Sequence, residues 1–353
     1  MVKDLPLATQ SLYSELLERL LIAPGSYTGM TVFCNSSRGK DYWYFEYTLG
    51  KSKNRLYLGP DSPEMRTKVE KFKDNKEKSQ QSARELKKIV STLAAAGYQS
   101  VTAREFRVFE VLSQAEVFSA GSVVVGSHAF GMIGNMMGVQ FEPSIVRTDD
   151  IDIANDFHIQ IGVPDHKKTM HAILKQADQG FLEVPTLNRK HPSTSFSIRN
   201  ANLRVDVLAP MYGKTDSKPR KLKSINAMAA PVRFLDYLLM NAQPAVVLGG
   251  AGVIVHIPNP AHFALHKLVI SQRRPAAQAL KAKKDLGQAQ AVLSEIYNTR
   301  PGDLHLAYAD VTDMQKKFQM QLIAGASMLP PALFEKIEAD LQEAVHGEGA
   351  APG

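Results

Sequence analysis

The sequence predicts a mixed α+β fold: a mixed sheet with helices, preceded by a β-meander and a long helix and followed by a helical domain. Three observations predict it. Short strands rich in branched and aromatic residues alternate with amphipathic helical stretches through the middle of the chain. Aromatic runs set apart by Gly-Lys steps precede one long charged stretch near the N-terminus. After Pro258 the pattern is helical almost throughout. Mixing of strands and helices with antiparallel pairing is the mark of α+β architecture.

The chain has 353 residues, enough for two or three domains with a sizeable core. With 44% hydrophobic and 22% charged residues it reads as an ordinary globular protein, which excludes disorder and collagen-like structure for its bulk. The single cysteine, Cys34, can form neither an internal disulfide nor a cysteine-based zinc site, and fits a reducing, cytoplasmic setting. The longest apolar stretch, Pro244 to Pro258, is split by three glycines and is too short for a bilayer. No apolar leader follows Met1, so no secretory signal and no membrane partner are expected.

Taken in order, residues 1–104 read as a unit of their own. Leu12 to Leu21 has helical spacing. Thr28 to Cys34, Tyr42 to Leu49 and Arg55 to Leu58 read as a three-stranded antiparallel meander with turns at Gly39-Lys40 and Gly50-Lys51. A helix is expected from Pro63, a residue suited to a first turn, to Ala96, with Gly97 as the stop. Residues 105–258 form the second unit: a helix over Arg104 to Gln114, a strand over Ser122 to Val125, a helix over His128 to Met137, and a strand carrying Ile151-Asp152-Ile153. Phe157 to Val163 alternates like a strand, Asp165 to Gln179 reads as an amphipathic helix, and Ser193 to Ile198 pairs with Leu203 to Leu208 as a hairpin. Gly249-Gly250-Ala251-Gly252 leads into Val253 to Ile257 and is a hairpin loop rather than a dinucleotide fingerprint. Residues 259–345 carry helices over Pro260 to Gln272, Pro275 to Tyr297, Asp303 to Gly325 and Pro331 to Val345, and residues 346–353 read as a disordered tail.

Charge is concentrated. The net charge is +7, and residues 51–90 hold 12 Lys or Arg against 6 Asp or Glu. Smaller basic clusters lie at Lys214 to Lys223 and Arg273 to Lys284. A polyanionic partner and a solvated helix face both explain such runs. Tyr42, Trp43, Tyr44 and Tyr47 are of a type that stacks bases, although a meander needs aromatics for its own core.

The chemistry lies in Val123 to Ala154. A strand runs into Gly126-Ser127 at a helix start, where free N–H groups and the helix dipole suit a phosphate. Further on, Asp150 and Asp152 flank Ile151 on a strand. Side chains alternate there, so both carboxylates share the face opposite the core. Neighbouring carboxylates repel unless a cation lies between them, and Mg²⁺, with its preference for oxygen, suits both them and phosphates. In Arg204-Val205-Asp206-Val207 the third carboxylate, Asp206, has the same parity.

Val125-Gly126-Ser127, Asp150-Ile151-Asp152 and the later Asp206 resemble the pattern of the polymerase-β-like nucleotidyltransferase superfamily. The resemblance covers about residues 105–300. The 24 residues from Gly126 to Asp150 exceed the usual gap, with Gly131 to Gly138 as the extra segment. Pro258-Asn259-Pro260, Leu265 to Leu268, Arg273-Arg274 and Lys284-Asp285 look like the second half of uncharacterised bacterial nucleotidyltransferases and of abortive-infection-type toxin nucleotidyltransferases. The resemblance implies a nucleotidyltransferase palm over residues 105–258. It implies an NTP substrate, with two Mg²⁺ ions, or Mn²⁺ in their place, held by Asp150, Asp152 and Asp206. Lys267 and Asp285 complete the catalytic set, and Gly126, Ser127, Arg147 and Arg273 contact the nucleotide. The acceptor it implies is RNA such as tRNA, as in a toxin–antitoxin system. A protein side chain, a small molecule and a catalytically silent nucleotide-binding module stay open as alternatives, as does the oligomeric state. His262 and His266 are spaced as in a zinc helix, but no third ligand follows. Met132, Met136 and Met137 have the spacing of core residues.

Overall fold

The structure is a computed structural model that describes residues 2–22, 30–37, 40–49, 52–146, 150–156, 168–186, 191–199, 201–213 and 218–347. The turns expected at Gly39 and Gly50-Lys51 and the strand expected over 157–163 lie outside the described residues, as do Arg147 and Asp149.

A mixed sheet organises the middle of the chain. Its strands run in the order Arg220–Leu222, Ala227–Val232, Arg204–Pro210, Asp150–Ala154, Val123–Val125, Val253–Ile257 and Gln243–Val247. Ser195–Ile198 pairs antiparallel with Arg204–Pro210 and with Phe181–Glu183. The strand Asp150–Ala154 is parallel to Arg204–Pro210 and antiparallel to Val123–Val125. Val123, Val124, Val125, Ile151, Ile153, Val205 and Val207 are buried in the main core, as the alternation predicts.

The fold class is the expected one, with particular differences in its helices. The helix expected over 165–179 spans only Met170–Ala177. Thr169 caps its start by accepting from the Ala172 N–H, and the extended Asp178 ends it while its side chain accepts from the Gly180 N–H. The helix expected over Asp303 to Gly325 is two helices, Pro301–Thr312 and Lys316–Ala326. The break at 313–315 is closed by the Gln319 amide, which donates to the carbonyls of Val311, Thr312 and Met314. A 3-10 turn over Ala276–Gln278 precedes the helix Ala279–Thr299. The last helix, Pro331–Gly347, runs two residues into the expected tail; the remainder of the tail lies outside the described residues. Gly325 brings its helix against the backbone of Leu268, where a Cβ would collide with the Leu268 carbonyl.

Near the N-terminus, the helix Leu7–Ile22 leads to the antiparallel strands Met30–Ser37, Lys40–Leu49 and Ser52–Pro60. The helix Pro63–Ala95 follows, capped by the Ser62 hydroxyl, which accepts from the Met65 N–H. Its far end joins a second core. Leu86, Val90 and Leu93 pack there with Leu5, Tyr13, Leu16 and Tyr98 against Val246 and Leu248 of the sheet edge. Tyr13 stacks on Tyr98, and its hydroxyl accepts the Val246 N–H at 3.2 Å. Burial pushes the Tyr13 hydroxyl up to about 12, so it serves as a neutral fastener at any working pH.

Candidate active site

The strand Val123–Val125 passes into the helix Gly126–Met137 through a backbone that needs glycine twice over. Gly126 has φ +69°, in the left-handed region, and a methyl there would collide with Asp152 Oδ2. No side chain caps this helix start, so the first-turn N–H groups face the cavity beside Gly126 and Ser127 without a protein acceptor. The long segment from Gly126 to Asp150 is taken up by this helix, by the pair Val139–Gln140 bound to Lys3–Asp4, and by the short helix Pro143–Val146. Gly138, at φ +70°, ends the first helix, and Asn135 ties it to Gln99 through two hydrogen bonds.

The carboxylates sit where strand parity puts them. Asp150 and Asp152 flank the buried Ile151, and Asp206 stands directly opposite Asp152 on the paired parallel strand. Arg204, opposite Asp150, donates from Nε to Asp206 Oδ1 at 2.8 Å and from Nη2 to the Ser195 hydroxyl at 2.9 Å. Burial, and then the neighbouring charges of Asp206 and Asp150, push the Asp152 carboxyl up to about 7. The hydrogen bond to Asp206 holds the Arg204 guanidinium firmly charged.

Across the cavity, Lys267 projects from the helix Pro260–Ser271, whose start is fixed by the Asn259 cap and Pro260. Its ammonium meets Asp285 Oδ1 at 2.6 Å, and Arg274 Nε meets Asp285 Oδ2 at 2.9 Å. Burial alone would raise the Asp285 carboxyl, but the two cations outweigh it and hold it below the ordinary range. Burial pushes the next residue of the helix before it, His266, down to about 3, and the Lys267 charge adds to the shift; this imidazole is a neutral part of the core. Its helix-mate His262 bonds Asp310 at 2.8 Å, so the pair serves packing rather than zinc.

These groups line one cavity of about 590 Å³, within the range of small-molecule sites. Gly126, Ser127, Asp150, Asp152, Lys267 and Asp285 all border it. Asp206 lies one strand over from Asp152, with Arg204 bordering the cavity in its place. Arg273 is not brought there: its guanidinium lies 5.2 Å from the Phe234 ring and reaches Gln321, while its neighbour Arg274 takes the cavity side. Arg147 lies outside the described residues. Sequence reasoning missed Arg204, Arg274, Lys281 and Lys284, all on the cavity wall. Arg204 carried a signal, since it shares the parity of Asp206. Lys281, Lys284, Asp285 and Gln288 carried another, the i, i+3, i+4, i+7 spacing of one helix face.

Among the described residues, no three histidine, cysteine or carboxylate side chains are grouped closely enough in this conformation to hold a metal ion. The donor chemistry still suits a hard divalent cation. Asp152 has two carboxylate neighbours that raise its proton affinity, and the positive charge now serving Asp206 comes from a side chain 44% exposed and free to swing out.

A profile of proteins described as nucleotidyltransferases matches residues 104–313, more than half of the chain. The chain belongs to this nucleotidyltransferase family. The matched span holds the sheet, the three carboxylates, Lys267 and Asp285, and it leaves the meander and most of the long basic helix outside. No curated protein and no solved structure gives a significant match. Among the described residues no helix is long and apolar enough to cross a membrane.

Proposed function

We propose that this nucleotidyltransferase moves a nucleoside monophosphate from an NTP to an acceptor hydroxyl, with Mg²⁺ as cofactor. The observation that carries the reading is the in-register placement of Asp206 beside Asp152, next to the uncapped helix start at Gly126. The Gly126 and Ser127 end of the helix binds the triphosphate. Asp150, Asp152 and Asp206 would hold two Mg²⁺ ions, or Mn²⁺ in their place. Bound there, the ions supply charge neutralisation for the phosphates and a more acidic acceptor hydroxyl.

The chain's own residues do the rest. The acceptor oxygen bonds to the α-phosphorus, the bond to the bridging oxygen of the β-phosphate breaks, and pyrophosphate leaves with that electron pair. Asp206 orients the acceptor hydroxyl and takes its proton. Lys267 neutralises phosphate charge, and Asp285 acts as a positioning residue that holds Lys267 and Arg274 in place. Arg204 releases Asp206 when the carboxylates bind metal. This is the reaction class of nucleotidyl transfer with pyrophosphate release, and a cytoplasmic setting with NTPs and reduced thiols fits the single exposed Cys34.

We take residues 1–104 as a substrate-binding module and RNA, such as tRNA, as the acceptor, because the basic residues of 51–90 lie mostly outside the transferase span. A toxin-like role follows from that acceptor. Incubation with each α-labelled NTP, Mg²⁺ and a cell extract tests the reading. Ribonuclease-sensitive label is the expected result. Label in protein or in a small product replaces the acceptor, and no label at all points to a silent nucleotide-binding module.

A further inference from the structure

The cavity has two halves of different character. In the inner half lie Gly126, Ser127, Asp152 and Lys267. The Lys267 side chain is only 12% exposed, is clamped by Asp285, and its charge acts on Asp152. The outer half is built by the first turns of the helix Ala279–Thr299. Lys281 is exposed, Lys284 is half-buried, and both line the cavity. The carboxylate that Lys284 senses across the cavity is Asp150, at the exposed start of its strand, whereas Lys267 senses Asp152. Asp285 has both oxygens engaged by Lys267 and Arg274. Burial and the nearby Lys267 charge lower the proton affinity of the Lys284 ammonium, as expected of a cation set in a cationic wall. Beside them Leu280 is 85% exposed, a large apolar side chain at the mouth of a charged pocket. At the other end of the same helix face, Gln288 is wholly buried, and its amide nitrogen is fixed on the Ile145 carbonyl at 2.7 Å. Its Oε1 has no hydrogen-bond partner among the described residues, which leaves one acceptor at the cavity wall for a hydroxyl.

Cations for a backbone phosphate, an apolar surface for a base or sugar, and an acceptor for a hydroxyl are the recognition elements of a polynucleotide end. The triphosphate is already provided for at Gly126, Ser127 and Lys267. We propose that Lys281 and Lys284, with Leu280, form the acceptor half of the site and hold the terminal phosphodiester of a single-stranded RNA whose end hydroxyl reacts. The proposal rests on the nucleotidyl-transfer reading above and gives its acceptor a seat.

The test uses the full chain, a fluorescent ten-nucleotide single-stranded RNA, and each Mg-NTP, with the two ligands titrated separately. In the Lys281→Ala, Lys284→Ala double variant, RNA affinity should fall about tenfold or more. The salt slope should flatten by about 1.4, at about 0.7 per phosphate contact on a single strand. NTP affinity should stay within about twofold. Leu280→Ser should weaken RNA binding with the salt slope unchanged, as loss of an apolar contact does. Both variants alter exposed or half-exposed side chains, and an unchanged thermal unfolding midpoint verifies their folding. Unchanged RNA affinity in the double variant overturns the proposal. So does loss of NTP binding with RNA binding intact, which would assign the two lysines to the triphosphate. Binding of NTP but not RNA by the wild type, with transfer to a protein acceptor, overturns this proposal alone. Failure of the wild type to bind any Mg-NTP overturns the transfer reading together with it.

Discussion

Two regions of the molecule concentrate positive charge, and they hold it in opposite ways. On the pocket wall, Lys267 and Arg274 are fastened to the two oxygens of one buried carboxylate, Asp285. On the long helix Pro63–Ala95, Lys68, Lys71, Lys73, Lys87 and Lys88 are exposed, and the ion pairs there are surface ones such as Arg66 with Asp61. Trp43, the one tryptophan of the meander, is engaged by Asp61 through its ring N–H and lies 5.9 Å from the Lys73 ammonium. Buried, tethered charge is fixed within a few tenths of an ångström and is screened little by salt. Exposed charge reaches further but is damped beyond about 10 Å at 0.1 M salt. The first arrangement suits chemistry at one phosphate, the second the attraction of a long polyanion.

The sharpest way to break this contrast is at the pocket's backbone. Gly126→Ala must place a Cβ against Asp152 at a positive φ. It should lower nucleotidyl transfer by about 10²-fold, measured as pyrophosphate release, because preorganised charge is the main catalytic term. Stability should fall by only about 1–2 kcal/mol.

Removing the tether comes next. Asp285→Ala leaves two cations without their carboxylate in a largely buried place, which should cost about 3 kcal/mol in denaturant unfolding. Transfer should fall about tenfold, read as a higher KM for NTP once Lys267 is no longer held. An unchanged KM would mean that Asp285 does not position Lys267.

The strand parity of Asp150, Asp152 and Asp206 was legible because a period of two leaves little choice once Ile151, Ile153, Val205 and Val207 are assigned to the core. The same parity placed Arg204 at the site, although an arginine beside a carboxylate carries no motif. Arg273 and Arg274 could not be told apart. They follow the helix end at Ser271, where the chain leaves the helical period and side-chain direction depends on tertiary packing against Phe234 and Asp285. The break at 313–315 holds neither Gly nor Pro and is closed by the distant side chain of Gln319, so no local signal marks it. The docking of Tyr13 on Val246 joins residues 233 apart in sequence, which no local pattern reports.

A pH series sharpens the contrast on the acidic side. The Asp152 carboxyl, ordinarily near 3.8, is raised to about 7 in the fold. Between those values the folded chain keeps a proton that the unfolded chain has lost. Metal-free stability should therefore fall as pH rises from about 4 to about 7 and stay low above, by on the order of 1–3 kcal/mol. Thermal unfolding at pH 5 and pH 8 should show this drop, with Mg²⁺ restoring more stability at pH 8 than at pH 5. A drop that Mg²⁺ does not reduce would separate the carboxylates from metal binding.

The smallest effect on chemistry is expected at the N-terminal unit. Neutralising Lys51, Lys53, Arg55 and Lys68 should weaken RNA binding and flatten its salt slope by about three to four units, at about 0.7–0.9 per contact. NTP affinity should be unchanged. Filter binding across salt reads both. A slope equal to that of the wild type would make these charges a solvated or protein-docking face.

Asp152→Asn tests the central claim most directly, with transfer of α-labelled NTP and thermal unfolding of the metal-free protein at pH 8 measured on the same preparation. The amide keeps the shape of the side chain and removes both the metal ligand and the charge that Asp206 and Asp150 oppose. The account predicts a loss of transfer of at least about 10²-fold together with a higher unfolding midpoint than the wild type, the pairing expected where function is built at the expense of stability. Transfer near the wild-type rate in the folded variant would contradict it.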